Sequence, residues 1–421
     1  MSITKNGSGS IKVNTIADIV LFNYVFSISV FEHSVLGNMA LLGIVAVSLI
    51  YIRKNMKIPV SFYFFFEAIF IVFCICQNLF GIPVYSIYAV NRTNTMIISL
   101  FFDIVLFAFL KGRKNMNRVF HIYVSATFWG ILVNLVANFS SILSGRFTAS
   151  EDVGIYLLGI HIGDMGAAAI GWVAGIALFF STMLYLKSNR KLFLFYYIFF
   201  SFTIIISGTR KMLIFLILSP LIVIFFDGNR QYIVKIIKIV FGVCISVLVI
   251  YLLVTKIPVL HNTIGVRIEE LFGYYFQDEA GDSSLMTRLR LIELAKEGFN
   301  ERPWFGWGLD NFKYIFYQGK YYAHNNFWEI LVSGGVIGFI LYYSKYVYIL
   351  VKLTKLNKSI TAKKIFNMLT VFFIVIIILE YWQVTYFYRR NQIVFIMLLV
   401  SACIKKYRSS LGEDSDVKKN Y

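Results

Sequence analysis

Three short polar stretches interrupt an otherwise apolar sequence, and each carries residues able to handle a phosphate or a proton. The first is Ser207-Gly208-Thr209-Arg210-Lys211, set between two apolar runs. The second opens with Arg288 and Arg290 and continues to Pro303 and Gly306-Trp307-Gly308-Leu309-Asp310-Asn311-Phe312. The third is Ala323-His324-Asn325-Asn326, which leads directly into an apolar run from Phe327. A guanidinium is a planar fork that fits two phosphate oxygens at once. Arg210 and Arg288 are therefore candidates for binding and stabilising a departing phosphate group. Lys211 and Arg290 are candidates for further phosphate contacts. An imidazole within reach of a hydroxyl can take its proton, which makes His324 the candidate general base. Each has an ordinary alternative. Arg210 and Lys211 can snorkel from a span end, Arg288 can pair with Glu293 on a helix surface, and His324 can cap the helix that follows it. Arg290, Arg302 and Arg389-Arg390 also read as solvated, structural or anchoring cations.

The elements that must position these residues follow from composition. Of 421 residues, 58% are apolar and only 15% charged. The apolar residues come in blocks about 20 long, the length of helix that crosses a bilayer. Within lipid the backbone must satisfy its own hydrogen bonds, and the blocks lack the alternation of barrel strands, so the spans are expected to be helices. Twelve are expected, at 15–31, 35–52, 58–80, 94–110, 119–141, 165–186, 192–207, 212–226, 237–255, 326–348, 365–384 and 392–404. The pair at 192–207 and 212–226 is short enough to be re-entrant. The fold class is thus all-α and polytopic. Residues 1–255 hold nine spans, 256–325 form one large extracytoplasmic loop, 326–404 hold three spans, and 405–421 form a tail.

The net charge of +18 is an orientation signal rather than a nucleic-acid signal. One set of short loops carries 18 Lys and Arg, from Arg53 through Lys364, and the opposite set carries six: Arg92, Arg146, Arg210, Lys211, Arg389 and Arg390. The richer set is expected in the cytoplasm, with both termini. Residues 256–325 then lie outside it, with eight Lys or Arg against nine Asp or Glu. Within this loop Leu285, Leu289, Ile292, Ala295 and Phe299 recur at helical spacing, which predicts an amphipathic helix with Arg288 and Glu293 off its apolar face or at its edge. All four cysteines fall in apolar blocks and offer no external disulfide. The first block has no small-residue cleavage site, so no cleaved leader is expected. Glu67, Asp103, Glu329 and Glu380 lie inside spans and require partners there. Asp278, Glu279 and Asp282 read as a solvated acidic loop, and no metal site is expected.

The three stretches, in this order, resemble the O-antigen polymerase and O-antigen ligase family of membrane glycosyltransferases. The likeness rests on Ser207 through Lys211 at a span end, and on Arg288 fifteen residues before Pro303 with Gly306 through Phe312 beyond it. It is completed by Ala323 through Glu329 leading into Gly334-Gly335-Val336-Ile337-Gly338. It covers about 205–343, and Ile292 departs from it, standing where the family often has tryptophan. The resemblance implies a donor glycan on an undecaprenyl-type polyisoprenyl pyrophosphate, used without cofactor on the outer face of a bacterial inner membrane. It implies polysaccharide biosynthesis, as a repeat-unit polymerase of O-antigen or capsule, or as an O-antigen ligase that passes glycan to lipid A core in lipopolysaccharide. The expected partners are the lipid-linked oligosaccharide, membrane lipid and a chain-length regulator, and no nucleic acid. A lipid-linked oligosaccharide flippase is the rival from another class; it fits twelve spans but gives the 256–325 loop no task.

Overall fold

The computed structural model describes residues 7–30, 35–55, 61–113, 115–143, 154–157, 160–188, 190–226, isolated positions between 234 and 269, and residues 283–319, 321–355 and 360–403. Each expected span except 237–255 coincides with a described helix. Most of 237–282, with its acidic group, and the tail lie outside the described residues. Six described helices are long and apolar enough to cross a membrane, and three shorter ones are apolar, as befits a multi-pass membrane protein. The chain divides into two compact units, residues 1–49 with 115–280, and residues 50–114 with 281–421.

The first unit contains α1 (Gly7–Val30), most of α2 (Val35–Asn55), α5 (Met116–Ala137), α6 (Phe139–Leu143), α7 (Ala167–Ser188), α8 (Lys191–Ile206) and α9 (Leu213–Phe226). Helix α5 starts with a true cap, the Asn115 side chain accepting the Arg118 amide at 3.2 Å. It packs on α1, where Gly130 lets the helices approach and Asn134 Nδ2 donates to the Val30 carbonyl at 3.3 Å. Helix α7 is the hub and lies against α5, α8 and α9 with Trp172 wholly buried. A two-stranded antiparallel hairpin, β1 (Gly154–Leu157) and β2 (Ile160–Asp164), departs from the all-helical expectation.

The second unit contains α3 (Phe62–Leu79), α4 (Ser86–Gly112), α10 (Ser283–Glu301), α11 (Phe312–Phe316), α12 (Asn326–Thr354), α13 (Ile360–Leu379) and α14 (Arg389–Cys403). Helix α4 begins eight residues before the expected span. Arg92 therefore sits on its first turns and not in a loop, a correction whose cause is a polar but helix-compatible start. Two of the span acids, Glu67 and Glu380, find partners here, whereas Asp103 Oδ2 is buried without one among the described residues. Lys345 Nζ donates to Glu67 Oε1 at 3.1 Å in a buried pair. Glu380 accepts from Tyr346 Oη at 2.8 Å, Thr385 Oγ1 at 2.6 Å, Asn326 Nδ2 at 3.0 Å and Tyr343 Oη at 3.1 Å. Four neutral donors around one buried carboxylate meet the need that burial creates.

Candidate active site

The loop after α10 is locked to α12 through backbone. Helix α12 is broken at Gly335, whose φ of 63° and ψ of −167° are open to glycine and little else. The break frees amides and carbonyls, and the loop takes them. Trp307 and Gly308 donate to the carbonyls of Val332 and Ser333 at 2.9 and 2.8 Å, and Val336 donates to the Pro303 carbonyl at 2.8 Å. Gln77 of α3 closes the joint, its Nε2 donating to the carbonyls of Phe305 and Ser333 at 2.5 and 3.1 Å. The Pro303–Gly308 stretch and the Gly334-Gly335 pair are thus two halves of one structural feature.

Beside it lies a buried apolar cluster of Leu291, Ala295, Phe312, Ala323 and Val332, covered by Leu294, Trp307, Phe316, Tyr317, Tyr321 and Trp328. It corrects the expected face of the amphipathic helix. The buried line of α10 runs through Leu291, Ala295 and Gly298, while Leu289, Ile292 and Phe299 are half-buried at its flank. Tertiary packing against Ala323 and Val332 chose a line that shares only Ala295 with the sequence stripe. Arg288 is exposed, but at 100° per residue it falls within about 20° of Ala295, two turns earlier. It extends the docking face beyond the cluster instead of lying across the helix from it.

His324 follows cluster residue Ala323, so Arg288 and His324 border the same cluster in the same unit. His324 is half-buried in the left-handed region with φ 51°, and its ring lies 6.0 Å from that of Tyr321. The capping role belongs to its neighbour. Asn325 Oδ1 accepts the amides of Phe327 and Trp328 at 3.0 and 3.1 Å. Glu329 Oε2 accepts the Ala323 amide at 2.9 Å, and Asn326 is held by Glu380 and Thr385. The imidazole thus stands on a turn fixed from both sides. Glu293, the ordinary partner weighed for Arg288, pairs with Arg290 at 3.4 Å, and Glu297 lies 3.7 Å from Arg290, all on an exposed face. Arg302 donates to the Ile82 carbonyl at 3.0 Å and stacks 3.8 Å from the Trp307 ring centre, a role in holding the loop.

Sequence reasoning missed a charged cluster at this end of the unit. Arg92 Nη2 contacts Asp310 Oδ1 and Oδ2 at 3.2 and 3.3 Å and donates to Tyr322 Oη at 2.7 Å. Lys313 Nζ donates to the same hydroxyl at 3.1 Å and lies 3.4 Å from Asp310. Phe387 covers the guanidinium at 4.3 Å. Burial pushes the Tyr322 hydroxyl well above its ordinary range, so it remains a neutral phenol. Arg92 is more than 200 residues from Asp310 in sequence. The one available signal was the place of Arg92 among the six cations on the poorer side of the charge count. Three segments that the charge pattern assigns to one side, around 82–92, 302–326 and 383–390, meet at this end of the unit.

Arg210 and Lys211 lie in the first unit, in a short 3-10 turn between α8 and α9. Gly208, with φ 61°, reverses the chain there. The hydroxyls of Ser207 and Thr209 share a hydrogen bond of 2.8 Å and pack onto α7 at Gly171, where any side chain would collide with them. Both cations are half-buried, and Lys211 Nζ sits 5.3 Å from the Trp172 ring centre. Among the described residues no group of three or more His, Cys, Asp or Glu is placed to hold a metal ion.

The run from α8 through the Gly208 turn, α10, the locked loop and the broken α12 is one continuous stretch of chain. Residues 195–343 match the O-antigen ligase family. The matched segment begins inside α8 and ends at Tyr343, one of the donors to Glu380, so it contains all five sequence-derived site candidates. The family covers O-antigen polymerases and ligases, enzymes of the membrane glycosyltransferase type. Arg92, Glu67 and Glu380 fall outside the matched segment. No curated protein matches the chain.

Proposed function

We propose that this protein is a repeat-unit polymerase of O-antigen or capsular polysaccharide, acting at the extracytoplasmic face of a bacterial inner membrane. In this reading a sugar hydroxyl of one lipid-linked repeat attacks the anomeric carbon of the glycan on a second carrier. The anomeric carbon–oxygen bond breaks, the polyisoprenyl pyrophosphate leaves with the bonding pair, and His324 takes the hydroxyl proton. Arg288 stabilises the charge that develops on the pyrophosphate, with Arg290 as a lesser contact, and the sequence resemblance gives Arg210 and Lys211, in the other unit, a phosphate-binding role as well. No metal or cofactor is required, because the leaving group is already activated. The observation that supports this most is the family match over 195–343, which spans all three motif stretches. The locked turn that carries His324 next to Ala323 of the buried cluster is compatible with it.

A second reading is favoured by the family description itself, which names a ligase. It uses the same donor and the same residues and differs in the acceptor, lipid A core. The surface glycan of a deletion strain separates the two. Single repeats on the surface mean lost polymerisation, and bare core means lost ligation. Repeats trapped inside the cell indicate a flippase and contradict both readings.

A further inference from the structure

We propose that the cluster around Arg92 is a sugar-binding subsite that holds the acceptor sugar beside His324, an inference that rests on the glycan-transfer reading above. Three polar atoms here are buried without a hydrogen-bond partner: Arg92 Nε, Glu329 Oε1 and the Tyr386 hydroxyl. Unpaired polar groups of this kind are uncommon in a folded protein, and three in one place call for a ligand that pairs them. They are neighbours. The Arg92 guanidinium lies 6.0 Å from the Tyr386 ring centre. Glu329 holds the Ala323 amide, one residue from Tyr322, whose hydroxyl receives Arg92. Burial raises the Tyr386 hydroxyl well above its ordinary range, and Arg92, Asp310, Glu329 and Tyr322 all act on it electrostatically. Arg92 and Lys313 keep 16% and 14% of their side chains exposed, so the cluster reaches the surface.

Its chemistry selects a polyol over a phosphate. The two cations, Arg92 and Lys313, are already engaged by the Asp310 carboxylate and the Tyr322 hydroxyl, which leaves little attraction for an anion. The orphan atoms are one donor, one acceptor and one hydroxyl able to be either. A phosphate only accepts, and it would meet Glu329 Oε1 oxygen to oxygen. Neighbouring sugar hydroxyls donate and accept in turn and can satisfy all three. Phe387, beside Arg92 and 5.4 Å from the Tyr322 ring, supplies an aromatic face for the apolar side of a sugar ring. Tyr322 is two residues from His324, so the subsite and the candidate base share the turn that Glu329 and Asn325 fix. The pyrophosphate is left to the arginines.

The test uses the full-length protein in detergent with lipid-linked repeat units, and two soluble inhibitors. One is the lipid-free repeat-unit oligosaccharide, the other inorganic pyrophosphate. Tyr386→Phe removes one hydroxyl and keeps the ring, and Glu329→Gln keeps the shape and removes the charge. The expected result is that the oligosaccharide inhibits the wild type, and that Tyr386→Phe weakens its inhibition constant about tenfold, the size of one hydrogen bond. Glu329→Gln should weaken it likewise, and pyrophosphate inhibition should stay unchanged in both. Unchanged oligosaccharide inhibition in two variants that elute as monodisperse protein would overturn the subsite, as would a shift confined to pyrophosphate. Absence of transfer by the wild type would strike the glycan-transfer reading, whereas transfer without oligosaccharide inhibition would strike the subsite alone.

Discussion

Replacing Gly335 by alanine tests whether the locked loop depends on the break in α12. The residue has φ 63° and ψ −167°. Holding an alanine there costs about 1–3 kcal/mol in backbone strain. Its Cβ would also overlap the Trp304 carbonyl and the Phe305 amide. Withdrawing the loop to relieve that overlap breaks the bonds from Val336 and Ile337 to the Pro303 and Trp304 carbonyls. Each is worth about 0.5–1.5 kcal/mol, so the total loss is about 2–6 kcal/mol. Gly334, one residue earlier, is an internal control. A Cβ there would sit 3.5 Å from Phe73, an ordinary contact, in helical backbone. Gly334→Ala should be neutral or slightly stabilising. The assay is thermal unfolding of purified protein in detergent, with membrane accumulation measured in parallel. Gly335→Ala should accumulate poorly and unfold well below Gly334→Ala. Equal midpoints for the two variants would refute the locked-loop reasoning.

Arg288→Lys should lose most polymer formation at matched membrane levels, with Arg288→Ala only slightly worse, because lysine lacks the two-bond fork; full-length polymer on a gel would remove Arg288 from the phosphate role. Arg290→Lys should be mild, since Arg290 is engaged with Glu293 and Glu297 on an exposed face where such pairs contribute about 0–1 kcal/mol. Lys345→Met strands Glu67 in the interior and should destabilise by about 3–5 kcal/mol, while adding Glu67→Leu should restore much of the loss, as read by unfolding midpoint. A cysteine at Ser283 should react with a membrane-impermeant thiol reagent in intact cells and one at Ser359 should not; the reverse pattern would invert the topology.

The helices were legible because apolar blocks of bilayer length leave the backbone one regular option. Their ends were less so: α4 starts at Ser86 because Asn91, Arg92 and Asn94 are polar yet helix-compatible, and a hydropathy pattern sees only their polarity. The amphipathic helix was legible as a helix but not in its rotation. The pattern offered Leu285, Leu289, Ile292, Ala295 and Phe299, and docking against Ala323 and Val332 kept Ala295 and added Leu291, which the pattern had left out. The glycine motifs were visible as letters, but their joint purpose was not, since a backbone lock between Pro303–Gly308 and Val332–Val336 is a pairing no spacing rule encodes. Glu329 and Glu380 were marked as acids needing partners. Their partners, the Ala323 amide and a ring of hydroxyls and amides, are neutral groups that a search for buried cations passes over.

The central claim is that His324, on its fixed turn, takes the proton from an acceptor sugar hydroxyl during glycan transfer. Turnover of purified lipid-linked repeat units by His324→Ala, compared with wild type at equal protein and near neutral pH, measures it most directly. The account predicts a loss of about 10²–10⁴ in rate, the usual effect of removing a general base, in a protein that still accumulates, because Asn325 and not His324 caps α12. Turnover within a few-fold of wild type would contradict it.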